Sequence, residues 1–173
     1  MGKYEAIKVG DTAKLTHTIT QQDVEHFVEL TGDDNKLHID ASYAETTVYK
    51  KTVAHGMLGA SFISTVIGTK LPGDGALWFA QSLEFILPVR IGDTITVIAE
   101  VMSKHDRDKI VELKTDILNQ HKQVVTSGLA KVKVIEPHVT NEPPEATRHT
   151  KTALIIGATG GIGQAVCRQL AED

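Results

Sequence analysis

The chain has 173 residues, enough for one domain and a short further segment, and its net charge of −4 disfavours nucleic acid as a partner. Only 5% of the residues are aromatic, so aliphatic side chains must form most of the core. Cys167 is the single cysteine, which excludes an intrachain disulfide and is typical of a reducing compartment. The polar N-terminus lacks a signal-peptide core, and no apolar run approaches the roughly 20 residues that span a bilayer. We therefore expect a soluble, cytoplasmic protein without a membrane partner.

The first half of the chain predicts one strand followed by helices. The strand is expected over residues 13–19, and Thr20 with Asp23 forms a near capping box for a helix over residues 21–30. Gly32 ends that helix. The next segments are predicted to be a loop over 33–38, a short helix over 41–46, and a helix over 56–67 that is apolar almost all round and buried on most faces.

The second half is rich in β-forming residues. Strands are predicted over residues 77–87, 94–103, 109–119 and 124–136, separated by turn-forming sequences. This pattern predicts an antiparallel meander. A sheet wrapped around one buried helix accommodates both halves, so the predicted fold class is α+β.

The loop over residues 33–38 contains the most informative polar pair. Asp33 and His38 lie five positions apart, so both can converge on one water and supply a carboxylate base and an imidazole acid or base. His55 and Gly56 open the long helix, whose first free N–H groups can hold a developing oxyanion. Together these groups indicate chemistry next to a carbonyl.

Residues 27–38, Phe-Val-Glu-Leu-Thr-Gly-Asp-Asp-Asn-Lys-Leu-His, resemble the signature of the (R)-specific enoyl-CoA hydratases, the MaoC-like or hydratase 2 proteins. Further matches are Ala44, residues 53–58, Ser64, residues 81–85, and the 87–93 segment Leu-Pro-Val-x-x-Gly-Asp. The resemblance covers residues 5–136, and its ordered spacing makes it more specific than any single match. It implies a hot-dog fold and a homodimer. It also implies reversible hydration of trans-2-enoyl thioesters of CoA or acyl carrier protein to (R)-3-hydroxyacyl thioesters, without metal or cofactor.

The resemblance assigns roles to five catalytic-site residues. Asp33 and His38 match the catalytic pair, Gly56 the oxyanion-hole glycine, Ser64 a serine that helps hold the active-site network, and Asn35 the asparagine that orients the loop. The predicted substrate-binding residues are His55, Met57, Lys50, Lys51 and Arg90, the three cations as candidates for the phosphates of CoA.

This chain also departs from the family pattern, and simpler interpretations stay open. Lys36 stands where the family usually has proline, which leaves the loop less constrained. Asp33 and Asn35 are also good turn formers, and His38 can be a hydrogen-bonded structural residue. Ser64 can bond back to the carbonyl of residue 60.

Alternatives to the predicted chemistry also remain. His55 can simply cap or orient the long helix. Alternatively, Asp33, His38 and His55 can form a metal triad, although no fourth ligand has suitable spacing and the reaction needs no Lewis acid. The alternative functions are a hot-dog acyl-CoA thioesterase and a non-catalytic acyl-thioester binding module.

Residues 137–150 are predicted to be a linker, and residues 151–173 resemble the start of a short-chain dehydrogenase/reductase. Gly157, Gly161 and Gly163 match that family's cofactor glycines, whereas Ile156 stands where threonine is usual. One strand and one helix cannot build a dinucleotide site, so no cofactor is assigned. The resemblance suggests that the chain derives from a hydratase–reductase fusion that is truncated here.

Overall fold

The computed structural model describes residues 2–136, which lie within the first of the two units of the chain, Met1–Pro137. The helices are α1 (Lys3–Ala6), α2 (Gln21–Thr31), α3 (Lys36–Ile39), α4 (Ala41–Thr46) and α5 (Gly56–Thr69). The strands are β1 (Thr12–Thr18), β2 (Ala76–Phe85), β3 (Thr94–His105), β4 (Ile110–Leu118) and β5 (Val124–Val134). None of the helices in this range is both long and apolar enough to cross a membrane. The predicted linker and reductase-like segment lie outside the described residues.

The ends of α2 determine where the predicted catalytic loop starts. The Thr20 hydroxyl accepts from the Asp23 N–H at 3.1 Å, and the Asp23 carboxylate accepts from the Thr20 N–H at 2.7 Å, which completes the predicted capping box. His17 of β1 adds a 2.9 Å contact to the same carboxylate. Burial opposes ionisation of Asp23, but the hydrogen bonds from Thr20 and His17 outweigh it and lower the pKa. Gly32 then ends the helix in the left-handed conformation, at φ 76°.

The five strands form one antiparallel sheet in the order β1-β3-β4-β5-β2. Only β3, β4 and β5 form a meander. The prediction of a simple meander was therefore wrong for β2, which pairs with β5 on the far side of the sheet from β3. A hydrophobic pattern identifies a strand but does not determine its partner, which depends on contacts distant in sequence.

The sheet curls around α5 and forms the core with it. Leu58, Ile63, Val66 and Ile67 of the helix are buried, and they join an apolar cluster that includes the inward-facing residues of β3, β4 and β5. Alternate residues of β3 are buried, as expected for a strand with one face on the core. An antiparallel sheet around a long helix is the α+β hot-dog fold that the resemblance implied.

Three local features differ from the sequence predictions. Ser61, Ser64 and Thr65 form an exposed side of α5, so in this chain the helix is less completely buried than predicted. Residues 33–38 are not all loop, because α3 includes His38. The four-residue helix α1 has too little periodicity to be recognised in the sequence.

Candidate active site

A cavity of about 490 Å³ opens beside the N-terminal end of α5. One wall comes from the end of α2, the loop after it and α3, and includes Phe27, Asp33 and His38. The opposite wall comes from the end of β2 and the segment after it, including Phe85 and Val89. Its lining is mainly apolar with a few polar groups brought together, which is typical of a small-molecule site.

Asp33 and Asn35 shape the loop at the cavity entrance. The Asp33 carboxylate accepts weakly from the Asn35 N–H at 3.4 Å, and the Asn35 side chain accepts from the Leu37 N–H at 3.0 Å. Asn35 thereby caps α3, the helix that contains His38. Asp33 can both form the turn and take part in the site, because its side chain is 53% exposed and still lines the cavity. Asn35 acts on the site through the backbone rather than from its lining.

His38 is oriented by the backbone. Its Nδ1 lies 2.7 Å from the carbonyl oxygen of Val53, which can only accept, so this nitrogen is the donor. In the neutral ring the proton therefore sits on Nδ1, and Nε2 keeps a free lone pair. That nitrogen is suited to accept a proton from a water.

His55 contacts both members of the predicted catalytic pair. It is 4% exposed, and its Nε2 lies 2.9 Å from the backbone carbonyl of Asp33. Its ring centroid lies 3.8 Å from that of His38 and 4.8 Å from that of Phe27. Within residues 2–136 its Nδ1 has no hydrogen-bond partner. One buried ring therefore holds the Asp33 backbone and packs against the His38 ring.

The same three residues are the candidate metal ligands considered from the sequence. Asp33, His38 and His55 each present a ligand atom within 4.8 Å of the others. The His38 and His55 rings are tilted by 34° with their centroids 3.8 Å apart, so the two rings pack against each other. Nε2 of His55 also already donates to the Asp33 carbonyl. The structure therefore brings the three residues together, with His55 and His38 each also bonded to a backbone carbonyl.

Gly56 is the first residue of α5 and lines the cavity. In the described chain its N–H has no hydrogen-bond acceptor, so this group and the positive end of the helix dipole are available to a ligand oxygen. A Cβ at position 56 would lie 2.7 Å from the Phe85 ring. Glycine therefore allows the aromatic ring to pack directly against the start of the helix.

The other predicted site residues are not equally close to the cavity. Met57 lines it, whereas Ser64 lies eight residues after Gly56, about 12 Å along the helix axis, and is exposed. No contact in residues 2–136 supports the predicted part of Ser64 in the active-site network. Lys50 and Lys51 are exposed and lie outside the cavity lining, next to the Tyr49 that belongs to it.

Arg90 has different partners from those that the sequence predicted. Its guanidinium donates to the backbone carbonyls of Tyr49, Lys51 and Thr52 at 2.9, 3.1 and 3.2 Å. These bonds engage both terminal nitrogens of the guanidinium, and the predicted contact with the phosphates of CoA stays a prediction. The sequence carried no signal for these bonds, because the partners lie about 40 positions apart.

Several apolar residues of the cavity were not predicted from the sequence. Phe27, Val53 and Phe85 were noted only as parts of motifs, and Tyr49 was given no role. The match over residues 81–85 could have predicted Phe85 as a cavity residue. Phe85 is the last residue of a strand that ends beside the site.

The comparisons with known proteins agree with this geometry. Residues 6–123 match the model of the MaoC like domain. The chain is 46% identical over 131 residues to an (R)-specific enoyl-CoA hydratase of Rhodospirillum rubrum, covering 76% of this chain and 90% of that protein. It is 38% identical to a 3-hydroxybutyryl-CoA dehydratase of Methylorubrum extorquens, covering 76% and 83%.

A solved structure extends this similarity to the fold. The (R)-hydratase of Aeromonas caviae, described as involved in PHA biosynthesis, superposes with a TM-score of 0.74 at 37% identity, covering 76% of this chain and 99% of that one. The matched range contains all of the cavity residues up to Ile117. The chain therefore belongs to the family of proteins with a MaoC-like domain.

Proposed function

We propose that this protein is a hydro-lyase that reversibly adds water to trans-2-enoyl thioesters and forms (R)-3-hydroxyacyl thioesters in fatty-acid metabolism. The observation that carries the proposal is the juxtaposition of Asp33 and His38 in one cavity with the free N–H of Gly56. The relatives named above as hydratase and dehydratase support the same reaction in its two directions.

The pair can hold and activate one water. With its proton on Nδ1, His38 offers an acceptor at Nε2, and the carboxylate of Asp33 is a second acceptor. A water that donates to both groups directs an oxygen lone pair at the β-carbon of the enoyl group. The pair takes one proton from the water as the carbon–oxygen bond forms.

The start of α5 stabilises the charge that develops. As oxygen adds to the β-carbon, the electron pair of the double bond moves toward the thioester carbonyl and gives an enolate-like intermediate. The Gly56 N–H is placed to hydrogen-bond its oxygen, with help from the helix dipole. The proton taken by the pair then returns to the α-carbon, so one water is added and no proton is gained or lost.

We propose a CoA thioester as substrate rather than an acyl carrier protein thioester, because the relatives described above carry CoA in their names. Lys50 and Lys51 precede the segment containing His55 and Gly56, and their exposed ammonium groups are available to phosphates outside the cavity. A cytoplasmic location, where CoA thioesters are found together with reduced cysteines, remains our prediction.

A homodimer is the proposed assembly. Strand β2 lies at an edge of the sheet within the described chain and carries exposed Leu77, Phe79 and Phe85. An open edge with exposed apolar side chains favours pairing with another copy. Light scattering that gives the mass of a single chain at micromolar concentration would contradict this assembly.

A separate proposal concerns the C-terminal segment. We propose that residues 151–173 are the start of a reductase domain, with Gly157, Gly161 and Gly163 as its vestigial fingerprint. A chain ending at residue 136 should retain hydratase activity, and the full chain should not bind a nicotinamide dinucleotide at micromolar concentration. Tight saturable binding by calorimetry would contradict this proposal.

The test of the reaction itself is an assay of a short enoyl-CoA with two readouts. A hydratase removes the absorbance of the conjugated enoyl thioester without releasing thiol, and chiral analysis should give the (R) product. Release of free CoA would identify a thioesterase. Binding of acyl-CoA without turnover would identify a non-catalytic module.

A further inference from the structure

The segment between α4 and α5 borders the cavity without forming regular secondary structure. We define residues 49–54 as the wall segment. Tyr49, Val53 and Ala54 of this segment line the cavity. Backbone groups in an irregular segment lack ladder partners, so some other group must hold them in place. In the wall segment, the N–H groups of Tyr49 and Lys50 donate to Thr47 at 3.2 and 3.3 Å. The carbonyls of the segment are held largely by the side chain of Arg90.

Arg90 holds the first part of the wall segment by three hydrogen bonds. Nη2 donates to the carbonyl of Tyr49, and Nη1 donates to those of Lys51 and Thr52. The planar guanidinium presents several donors in a fixed arrangement, so it can bind several carbonyls at once, which a lysine ammonium does less well. Within residues 2–136 Arg90 forms no ion pair with a carboxylate side chain, so these carbonyls are its main partners.

The base of Arg90 is itself fixed. Its backbone N–H donates to the Asp93 carboxylate at 2.8 Å, and its carbonyl accepts from the Asp93 N–H at 3.0 Å. Next to it, the Val89 carbonyl accepts from the Ala54 N–H at 2.7 Å. The turn over residues 89–93 is therefore a rigid support from which the guanidinium reaches the wall segment.

The second part of the wall segment has its own anchors. The Val53 N–H donates to the Leu37 carbonyl at 3.2 Å, and Ala54 is bonded to Val89. Val53 also provides the carbonyl that orients His38. The contacts at Val53 and Ala54 are independent of the guanidinium. Loss of the Arg90 side chain should therefore loosen residues 49–52, which then keep only the bonds to Thr47, and leave His38 in place.

We propose that Arg90 is a positioning residue, which fixes Tyr49 as one wall of the cavity mouth and thereby sets the affinity for the thioester. The proposal deepens the proposed function and rests on it. Tyr49 is 41% exposed while lining the cavity, as expected for a ring at its mouth. The guanidinium contributes through the shape of the mouth, so its effect does not require the phosphates of CoA.

Kinetics with two substrates distinguish this role from phosphate binding. We compare Arg90→Ala with the wild type, using the same short enoyl group on CoA and on pantetheine. We expect KM to rise roughly three- to thirtyfold for both thioesters, with kcat within about twofold, as when binding is lost away from the reacting carbons. The increase should persist at high salt. Arg107→Ala is the matched control, because Arg107 is exposed in the turn between β3 and β4 and its substitution removes the same charge.

A second comparison tests whether Arg90 acts through Tyr49. In the Tyr49→Ala background, Arg90→Ala should raise KM by less than about twofold, because the ring that it positions is already absent. Independent, multiplying effects of the two substitutions would overturn the proposal. A KM increase that is restricted to the CoA thioester and removed by salt would also overturn it, because that result would mean that Arg90 binds the phosphates of CoA.

Hydrogen exchange gives a readout that does not need turnover. Arg90→Ala should raise exchange of the Tyr49 and Lys50 amides, because their bonds to Thr47 open more often once the neighbouring carbonyls are released, whereas Arg107→Ala should not. Unchanged exchange in a folded Arg90→Ala protein would overturn the proposal even if the hydratase assay succeeds. If the wild type lacks hydratase activity, the exchange experiment still tests whether Arg90 positions the wall segment. Failure of the proposed function and failure of the proposed role of Arg90 can therefore be distinguished. If Arg90→Ala does not fold, Arg90→Lys replaces it, with the same expected direction and a smaller effect.

Discussion

The loop that holds the candidate catalytic pair and the core around α5 are stabilised in different ways. The core contains a continuous set of buried aliphatic residues, and its strands are paired by backbone hydrogen bonds. Residues 31–39 depend mainly on hydrogen bonds between backbone groups and the side chains of Thr31, Asp33, Asn35 and His38. Substitutions in the two regions should therefore separate activity from stability.

The largest effect is expected from the catalytic pair. Asp33→Asn and His38→Ala should each lower kcat by roughly two to four orders of magnitude, as removal of a general acid or base does. Thermal unfolding should change little, because both side chains lie outside the apolar core. Asp34→Asn is the matched control, since Asp34 is the exposed neighbour and lines no part of the cavity. A control as inactive as Asp33→Asn would show that loop disturbance, rather than chemistry, causes the loss.

The start of α5 should respond to a single added methyl group. Gly56→Ala places a Cβ 2.7 Å from the Phe85 ring, so either the ring or the helix start must move. We expect kcat/KM to fall roughly tenfold or more, in line with the loss of a positioned oxyanion donor. Gly68→Ala is the control in the same helix, because a Cβ added there would meet open space and alanine should stabilise the helix by about 0.5–1 kcal/mol. Equal activity of the two variants would contradict the assigned role of Gly56.

Substitutions in the core should lower stability and leave kcat nearly unchanged. Ile63→Ala removes a fully buried side chain of α5 and should cost about 2–5 kcal/mol of unfolding free energy. The remaining folded protein should keep kcat within about twofold, measured well below its unfolding temperature. Ile63→Val should cost about 0.5–1.5 kcal/mol. A large kcat loss in folded Ile63→Ala would mean that core and site are not separable.

The capping box before the loop should affect stability in a pH-dependent way. The pKa of Asp23 is lowered in the folded chain, so its contribution is present above the unfolded value and is lost as pH falls through the folded value. Asp23→Ala should cost about 1 kcal/mol at neutral pH and little in strong acid, measured by denaturant unfolding. Glu25→Ala, at an exposed position of α2, is the control. The same loss at all pH values would contradict the role of the ionised carboxylate.

The smallest effect is expected outside the cavity. Lys50→Ala combined with Lys51→Ala should raise KM severalfold for the CoA thioester, leave kcat unchanged and have less effect on the pantetheine thioester. Salt should reduce the difference, because it screens exposed charges. An equal change for both substrates would place these lysines away from the phosphates.

The difference between the two regions also explains what the sequence could predict. The α2 cap, the stop at Gly32 and helix α4 follow from neighbouring residues, and α4 has the predicted bounds. The proximity of Asp33 and His38 was predictable for the same reason, since they lie only five positions apart in the chain. Local signals of this kind survive because few distant contacts compete with them.

Features that depend on tertiary contacts were not accessible in the same way. The position of β2 beside β5, the Arg90 bonds to Tyr49 and the packing of Phe85 on Gly56 each join residues far apart in sequence. Ser64 was assigned from resemblance alone, without any geometric constraint from the sequence. Its role in the active-site network stays a prediction, since Ser64 is exposed in the described chain.

The most direct test of the account is a double-mutant cycle on the catalytic pair. Asp33→Asn, His38→Ala and the double variant are compared in kcat for hydration of a short enoyl-CoA, with folding checked for each. Because both side chains are proposed to hold one water, the double variant should be about as slow as the slower single variant. Independent multiplication of the two effects, or near wild-type turnover by either folded single variant, would contradict the shared-water mechanism.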